Sequence, residues 1–166
     1  MKGLSIALLG KQHDRKSFSC GIDSLDIYLK QQASQDAKKR VAVTYVLYEE
    51  RTKVVIGYYT LSSAVIELLA LPEEIRKKLP RYPSLPATLI GRLAVNNSHK
   101  GKGLGELLLV DAAKRAYQAS LHIASLALVV DAINDSAVKF YKKYGFLDLY
   151  SDSNRLYLPM STVELL

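Results

Sequence analysis

Arg92–Leu109 reads RLAVNNSHKGKGLGELLL. An apolar run ends at Val95, a polar turn carries three glycines within His99–Gly105, and a leucine-rich segment follows. Upstream, Thr88–Val95 (TLIGRLAV) has the apolar and β-branched content of a strand. Downstream, Leu109, Ala112, Ala113, Ala116 and Tyr117 recur at helical spacing. Asp111, Lys114, Arg115 and Gln118 fill the opposite face, which predicts an amphipathic helix. Ser125–Val130 (SLALVV) is almost continuously apolar, as a strand covered on both faces is. Strand, turn, helix and strand in this order make a βαβ unit, whose crossover sets the two strands parallel.

A glycine turn between a strand and a helix suits an anion. The first amides of a helix lack intrahelical partners and lie at the positive end of its dipole. Gly101, Gly103 and Gly105 sit where the helix must begin, so the backbone can come close to a ligand, and Lys100 and Lys102 add charge. The ligand class is a phosphate or pyrophosphate. The Gly-Lys-Ser/Thr ending of a Walker A loop is absent, and the glycines run G-x-G-x-G rather than G-x-G-x-x-G. A turn that simply caps a helix has the same spacing, and both readings stay open on spacing alone.

Outward from this unit, Cys20–Lys39 reads as helical, with Ile22, Leu25 and Leu29 on one face and Gln31–Lys39 as a continuation or a second helix. Val41–Tyr48 and Val54–Ser63 read as a hairpin around the charged turn Glu49–Lys53. Glu73–Leu79 reads as a short basic helix between Pro72 and Pro80, followed by a stiff, non-helical connection through Pro83 and Pro86. Ala137, Phe140, Tyr141 and Tyr144 have helical spacing, and Gly145 ends that helix. Phe146–Tyr150 and Leu156–Met160 are predicted as short closing strands. The expected class is α+β, a mixed sheet with one βαβ unit at its centre.

The 166 residues suit one domain, residues 1–166. A formal net charge of +7 favours polyanionic partners. Lys38-Lys39-Arg40, Arg76-Lys77-Lys78 with Arg81, Lys100 with Lys102, and Lys142-Lys143 form four basic groups. Along a groove they would follow a phosphate backbone, whereas singly each is an ordinary solvated face. The apolar segments are too short to span a bilayer, and the N-terminal one is too short for a secretion signal, so a cytoplasmic protein without membrane contact is expected. Cys20 is the sole cysteine and reads as a small buried hydrophobe. His13, His99 and His122 lack metal-ligand spacing and are expected to face solvent, with no metal bound.

RLAVNNSHKGKGLGELLL resembles the acetyl-coenzyme A loop of the GNAT superfamily of N-acetyltransferases, whose pattern is Gln/Arg-x-x-Gly-x-Gly/Ala. Lys100 stands at its first position, and Asn96 stands where relatives often carry Asp. VVDAINDSAVKFYKKYGF, Val129–Phe146, resembles the strand, asparagine and helix that close the family's cofactor site. The resemblance implies the GNAT fold: a mostly antiparallel mixed sheet splayed around an acetyl-CoA site and flanked by helices. It implies that Leu93, Ala94 and Val95 lend backbone groups to the pantetheine arm. Amides across Lys100-Gly101-Lys102-Gly103-Leu104-Gly105 would hold the pyrophosphate. Asn134 would contact the cofactor, and Tyr141 matches the tyrosine that protonates the leaving thiolate. Spacing alone also allows Tyr141 to be a core residue beside Phe140 and Tyr144.

Arg92 interrupts an apolar strand, either to bind a phosphate or carboxylate of the acceptor or to pair with a structural carboxylate. Within the superfamily the chain is similar to the small GNAT toxins of toxin–antitoxin pairs. The carrying features are FSCGIDSLDIYLKQQASQDAKKRVAVTYVL, VIGYYTLSS, LPRYPSLPATLIGRLAV and FYKKYGF. That similarity implies acetylation of the α-amino group of an aminoacyl-tRNA, a block of translation, a ribbon-helix-helix antitoxin partner and a homodimer. Two other readings are a GNAT enzyme acting on a small or protein amine, and a module that binds the cofactor without chemistry.

Overall fold

The structure is a computed structural model and describes residues 2–150 and 153–165. The chain divides into two compact units. The first comprises Met1–Ser62 with Gly91–Ala112, and the second comprises Ser63–Ile90 with Ala113–Leu166.

In the first unit, strand β1 (Leu4–Leu8) pairs antiparallel with β2 (Val43–Glu49), from Leu4–Glu49 to Leu8–Tyr45. The sequence reading passed over β1, because a five-residue edge strand with four half-buried residues and one exposed gives little periodicity. The predicted hairpin forms: β2 pairs antiparallel with β3 (Val55–Glu67), with a register shift between Leu47 and Tyr48. The two helical segments are one rod. Helix α1 (Asp23–Ile27) passes through a π-helical stretch, Tyr28–Gln32, into α2 (Ala33–Lys38). This rod buries Leu25, Tyr28, Leu29 and Ala33 against Phe18, Val46, Val55 and Tyr58. Gly57 on β3 has no spare room. A Cβ there would stand 2.9 Å from Leu108 Cδ1 and 3.0 Å from the Ala94 carbonyl oxygen, so neighbouring elements rest on bare backbone.

His13 corrects an expectation. It is buried at 6% exposure rather than facing solvent. Its ring lies 4.4 Å from the Tyr48 ring, and burial lowers its pKa below the usual histidine value.

In the second unit, the start of β4 (Ser84–Val95) runs parallel to β5 (Ala127–Asp131), from Thr88–Leu128 to Ile90–Val130. Strand β5 then pairs antiparallel with β7 (Arg155–Pro159), which pairs with the two-residue β6 (Leu147–Asp148). Ala127, Leu128, Val129 and Val130 are all buried, as the unbroken apolar run predicts. The proline-rich connection is itself strand. β4 begins at Ser84 and passes through Pro86, whose carbonyl accepts from Leu126 N–H at 2.8 Å. Proline's fixed φ suits extended backbone, and its missing N–H is tolerated where no ladder bond is needed. Helix α3 (Glu73–Arg76) ends three residues earlier than predicted. Helix α4 (Leu104–Ser120) begins in the first unit and ends in the second, and α5 (Asp135–Lys143) and α6 (Met160–Val163) complete the set. Because β3 and β4 belong to both units, the strand order reads β1-β2-β3-β4-β5-β7-β6. Among the described residues, no helix is long and apolar enough to cross a membrane.

Candidate active site

Strand β4 leaves its last pair with β5 at Ile90 and continues through Leu93, Ala94 and Val95. Asn96 N–H then donates to the Ile56 carbonyl at 2.7 Å. A single 3-10 turn, Asn97–His99, leads into the glycine segment. Gly101 and Gly103 have φ of +77° and +75°, a left-handed conformation that costs side-chain-bearing residues roughly 1–2 kcal/mol. A Cβ at either would meet open space, so backbone geometry rather than crowding selects glycine here.

The first helical bond of α4 runs from Leu107 N–H to the Gly103 carbonyl at 3.1 Å. The six amides from Gly101 to Glu106 donate to no protein acceptor among the described residues. Successive unmade donors at the positive end of a 17-residue helix form an anion cradle. This fits a pyrophosphate: open space beside Gly101 and Gly103, and a run of amide donors without protein acceptors.

The turn is held from the side. Asn96 Oδ1 accepts from Ser19 N–H at 2.8 Å, and Asn96 Nδ2 donates to Ser98 Oγ at 2.6 Å. Asn97 N–H donates to the Ser19 carbonyl at 2.8 Å. Lys100 Nζ donates to the Cys20 carbonyl at 2.6 Å. The Lys100 side chain therefore braces the loop, whereas the Lys102 side chain makes no hydrogen bond among the described residues. Sequence reasoning missed this brace because its partners are remote in the chain and carry no shared periodicity.

Arg92 is half-buried, its guanidinium carbon 3.5 Å from the centroid of the Tyr28 ring. Tyr28 in turn donates through its hydroxyl to Asp36 Oδ2 at 2.8 Å. Burial and the Asp36 carboxylate push the Tyr28 phenol up to about 12, while hydrogen bonds from Gln32 and Tyr28 hold Asp36 below the usual carboxylate value. Among the described residues Arg92 has no carboxylate at ion-pair distance, so its N–H donors are uncommitted. Cys20 is buried at 3% exposure, and burial raises its thiol pKa, which leaves it protonated and unreactive.

Asn134 and Tyr141 lie in the second unit. Asn134 is the N-cap of α5, extended at φ −159°, with Oδ1 accepting from Ala137 N–H at 2.8 Å. Its Nδ2 is left to donate elsewhere. Tyr141 is buried at 6% exposure between the rings of Phe140 and Phe146, at 5.2 and 5.4 Å. Burial pushes its phenol well above the ordinary tyrosine value, and its hydroxyl has no protein partner among the described residues. It thus combines the two sequence readings: its ring is core, and its hydroxyl is an uncommitted neutral acid. Among the described residues, no three His, Cys, Asp or Glu side chains gather as a metal site requires.

The model of the acetyltransferase (GNAT) family matches residues 12–146. A tRNA-acetylating toxin of Mycobacterium tuberculosis is 33% identical over 92% of this chain and 90% of its own length. The structure of AtaT complexed with acetyl-methionyl-tRNAfMet superposes with a TM-score of 0.91 at 32% identity, covering 98% of each chain. A tyrosine-to-phenylalanine mutant of the AtaT toxin, bound to the C-terminus of the antitoxin AtaR and acetyl-CoA, gives a TM-score of 0.83 at 28% identity, covering 98% of this chain and 97% of the other. With this match joined to a free amide cradle at the head of α4, the chain belongs to the acetyltransferase (GNAT) family of acetyl-CoA-dependent N-acetyltransferases.

Proposed function

We propose that this protein is the toxin of a toxin–antitoxin pair and acetylates the α-amino group of an aminoacyl-tRNA, blocking translation. The reading is carried by the six unpartnered amides from Gly101 to Glu106 in a chain that resembles tRNA-acetylating toxins over nine-tenths of its length. One domain, residues 1–166, performs the reaction.

Bound acetyl-CoA supplies an activated acetyl thioester. Amides of the Gly101–Gly105 turn hold its pyrophosphate, with Lys102 adding charge and Leu104 contributing its amide. Lys100 keeps the turn in place through the Cys20 carbonyl. Backbone groups of Leu93, Ala94 and Val95 align the pantetheine arm and polarise the carbonyl, an effect worth roughly 3–4 kcal/mol when donors are preorganised. Asn134 donates through Nδ2 while Oδ1 caps α5. Tyr141 holds a proton for the departing thiolate, and its raised pKa keeps that proton present at physiological pH. Arg92, flat on Tyr28, offers its fork to a phosphate or carboxylate of the acceptor. The net charge of +7 suits a polyanionic acceptor.

The partner that restrains the toxin is a ribbon-helix-helix antitoxin, the active form is a homodimer, and the setting is the cytoplasm. Incubation with labelled acetyl-CoA and total charged tRNA tests the reading. Label is expected on the aminoacyl group of charged tRNA. Label on free amines with none on tRNA would overturn it.

A further inference from the structure

Residues Lys11–Lys16, together with Lys30, enclose an open recess of about 580 Å³ in the first unit. That lies within the roughly 300–1,000 Å³ of ligand-holding clefts. His13 lines it. Gly10 N–H donates to His13 Nδ1 at 2.9 Å, so the neutral ring carries its proton on Nε2. His13 Nε2 is buried and has no hydrogen-bond partner among the described residues. That atom is closed off from solvent, so His13 contributes packing to the lining and no donor to the recess.

The charge of the lining is net positive, with Lys11, Arg15, Lys16 and Lys30 set against Asp14. The ammonium groups of Lys11, Lys16 and Lys30 make no ion pair or hydrogen bond among the described residues. Arg15 fixes the turn, with Nη1 donating to the Leu29 carbonyl at 2.8 Å and to Ser34 Oγ at 3.2 Å. Asp14 is the one carboxylate of the lining, and its Oδ1 is occupied by Lys16 N–H at 3.0 Å. The same segment runs on to Ser19 and Cys20, which are bonded to Asn97 and Lys100 at the edge of the cofactor turn. The recess is therefore tied by backbone to the pyrophosphate cradle within one compact unit.

We propose that this recess docks a backbone phosphate of the nucleic-acid acceptor, with the ammonium groups of Lys11, Lys16 and Lys30 as its donors. The proposal rests on a charged tRNA being the acceptor. A phosphate fits better than a carboxylate because it presents several acceptor oxygens to donors arriving from different directions, and a continuous sugar–phosphate backbone suits an open rather than a closed recess.

The test is binding of total tRNA by the full-length protein as a function of salt, measured without acetylation. The double variant Lys16→Ala/Lys30→Ala is compared with Lys114→Ala/Lys139→Ala, which removes the same charge elsewhere. Each lost phosphate contact lowers the slope of log affinity against log salt by about 0.7–0.9. The recess variant is expected to lose about 1–2 in slope and about tenfold in affinity near physiological salt, with unchanged acetyl-CoA affinity and thermal midpoint. Equal losses in both double variants would reduce the effect to net charge and overturn the site. A loss of acetyl-CoA affinity instead would assign the recess to a cofactor phosphate, also overturning it. Absence of tRNA binding by the unmodified protein overturns it as well. If tRNA binds through the recess but charged tRNA is never acetylated, the recess stands and the acetylation reading falls. If charged tRNA is acetylated and the slope is unmoved, the reverse holds.

Discussion

Lys100 Nζ lies 2.6 Å from the Cys20 carbonyl oxygen, so the lysine at the first position of the cofactor motif is turned towards its own protein. The motif's anion affinity then rests on its amides. Gly103→Val forces a β-branched residue into φ +75° and displaces the turn. It is expected to weaken acetyl-CoA binding at least tenfold by calorimetry. Lys102→Ala should cost less than threefold, and Lys100→Ala should fall between them with a lowered thermal midpoint, since it removes a brace worth about 1 kcal/mol. A larger loss from Lys102→Ala than from Gly103→Val would mean that lysine charge rather than amide geometry holds the cofactor.

Arg92 and Tyr28 form a second pair with a separable prediction. Arg92→Lys removes both the planar stack and the fork. It is expected to raise KM for charged tRNA about tenfold while leaving acetyl-CoA affinity unchanged. Tyr28→Phe keeps a ring beneath the guanidinium and releases Asp36, so it should lower stability by about 1 kcal/mol with KM within threefold of the parent. Equal KM effects from both variants would show that Arg92 is structural.

These two sites mark where the sequence stops being readable. The βαβ unit was legible because periodicity is local: the α4 stripe and the Ala127–Val130 run each declare their burial within a few residues. The glycine turn was legible because φ near +75° restricts residue choice. Contacts between distant segments left no such trace. Nothing near Arg92 announces Tyr28, and nothing near Lys100 announces Cys20. His13 misled for a related reason, since a lone histidine in a polar run looks solvated. Its burial comes from Tyr48 on a strand far along the chain. β1 escaped notice because a five-residue edge strand gains its order from β2 rather than from its own pattern.

His13 gives a pH prediction of definite sign. Its folded pKa lies below the ordinary histidine value, chiefly through burial, with Lys53 and Arg15 adding to the effect. Below that value the unfolded chain binds a proton that the folded chain resists, so stability rises with pH. The stabilisation is complete above about pH 7.5 and declines as pH falls through 6.5. Thermal midpoints at pH 7.5 and 5.5 should differ more in the parent than in His13→Gln, which cannot titrate. An identical difference in both proteins would remove His13 as the cause.

Tyr141 separates packing from proton transfer. Its ring is fixed by Phe140 and Phe146, and its hydroxyl has no protein partner among the described residues. Tyr141→Phe therefore keeps the core contacts and removes one O–H that bonds nothing in the folded chain. The thermal midpoint and the acetyl-CoA affinity should stay within error. If the phenol delivers the proton to the leaving thiolate, kcat should fall by about 10²–10⁴. The pH profile adds a readout that packing cannot mimic. Burial raises the phenol above the ordinary tyrosine value, so the acid form persists past pH 10 and activity should show no alkaline decline from this group below that point. An unchanged kcat in the phenylalanine variant would return Tyr141 to the core alone and leave the leaving thiolate to be protonated by solvent.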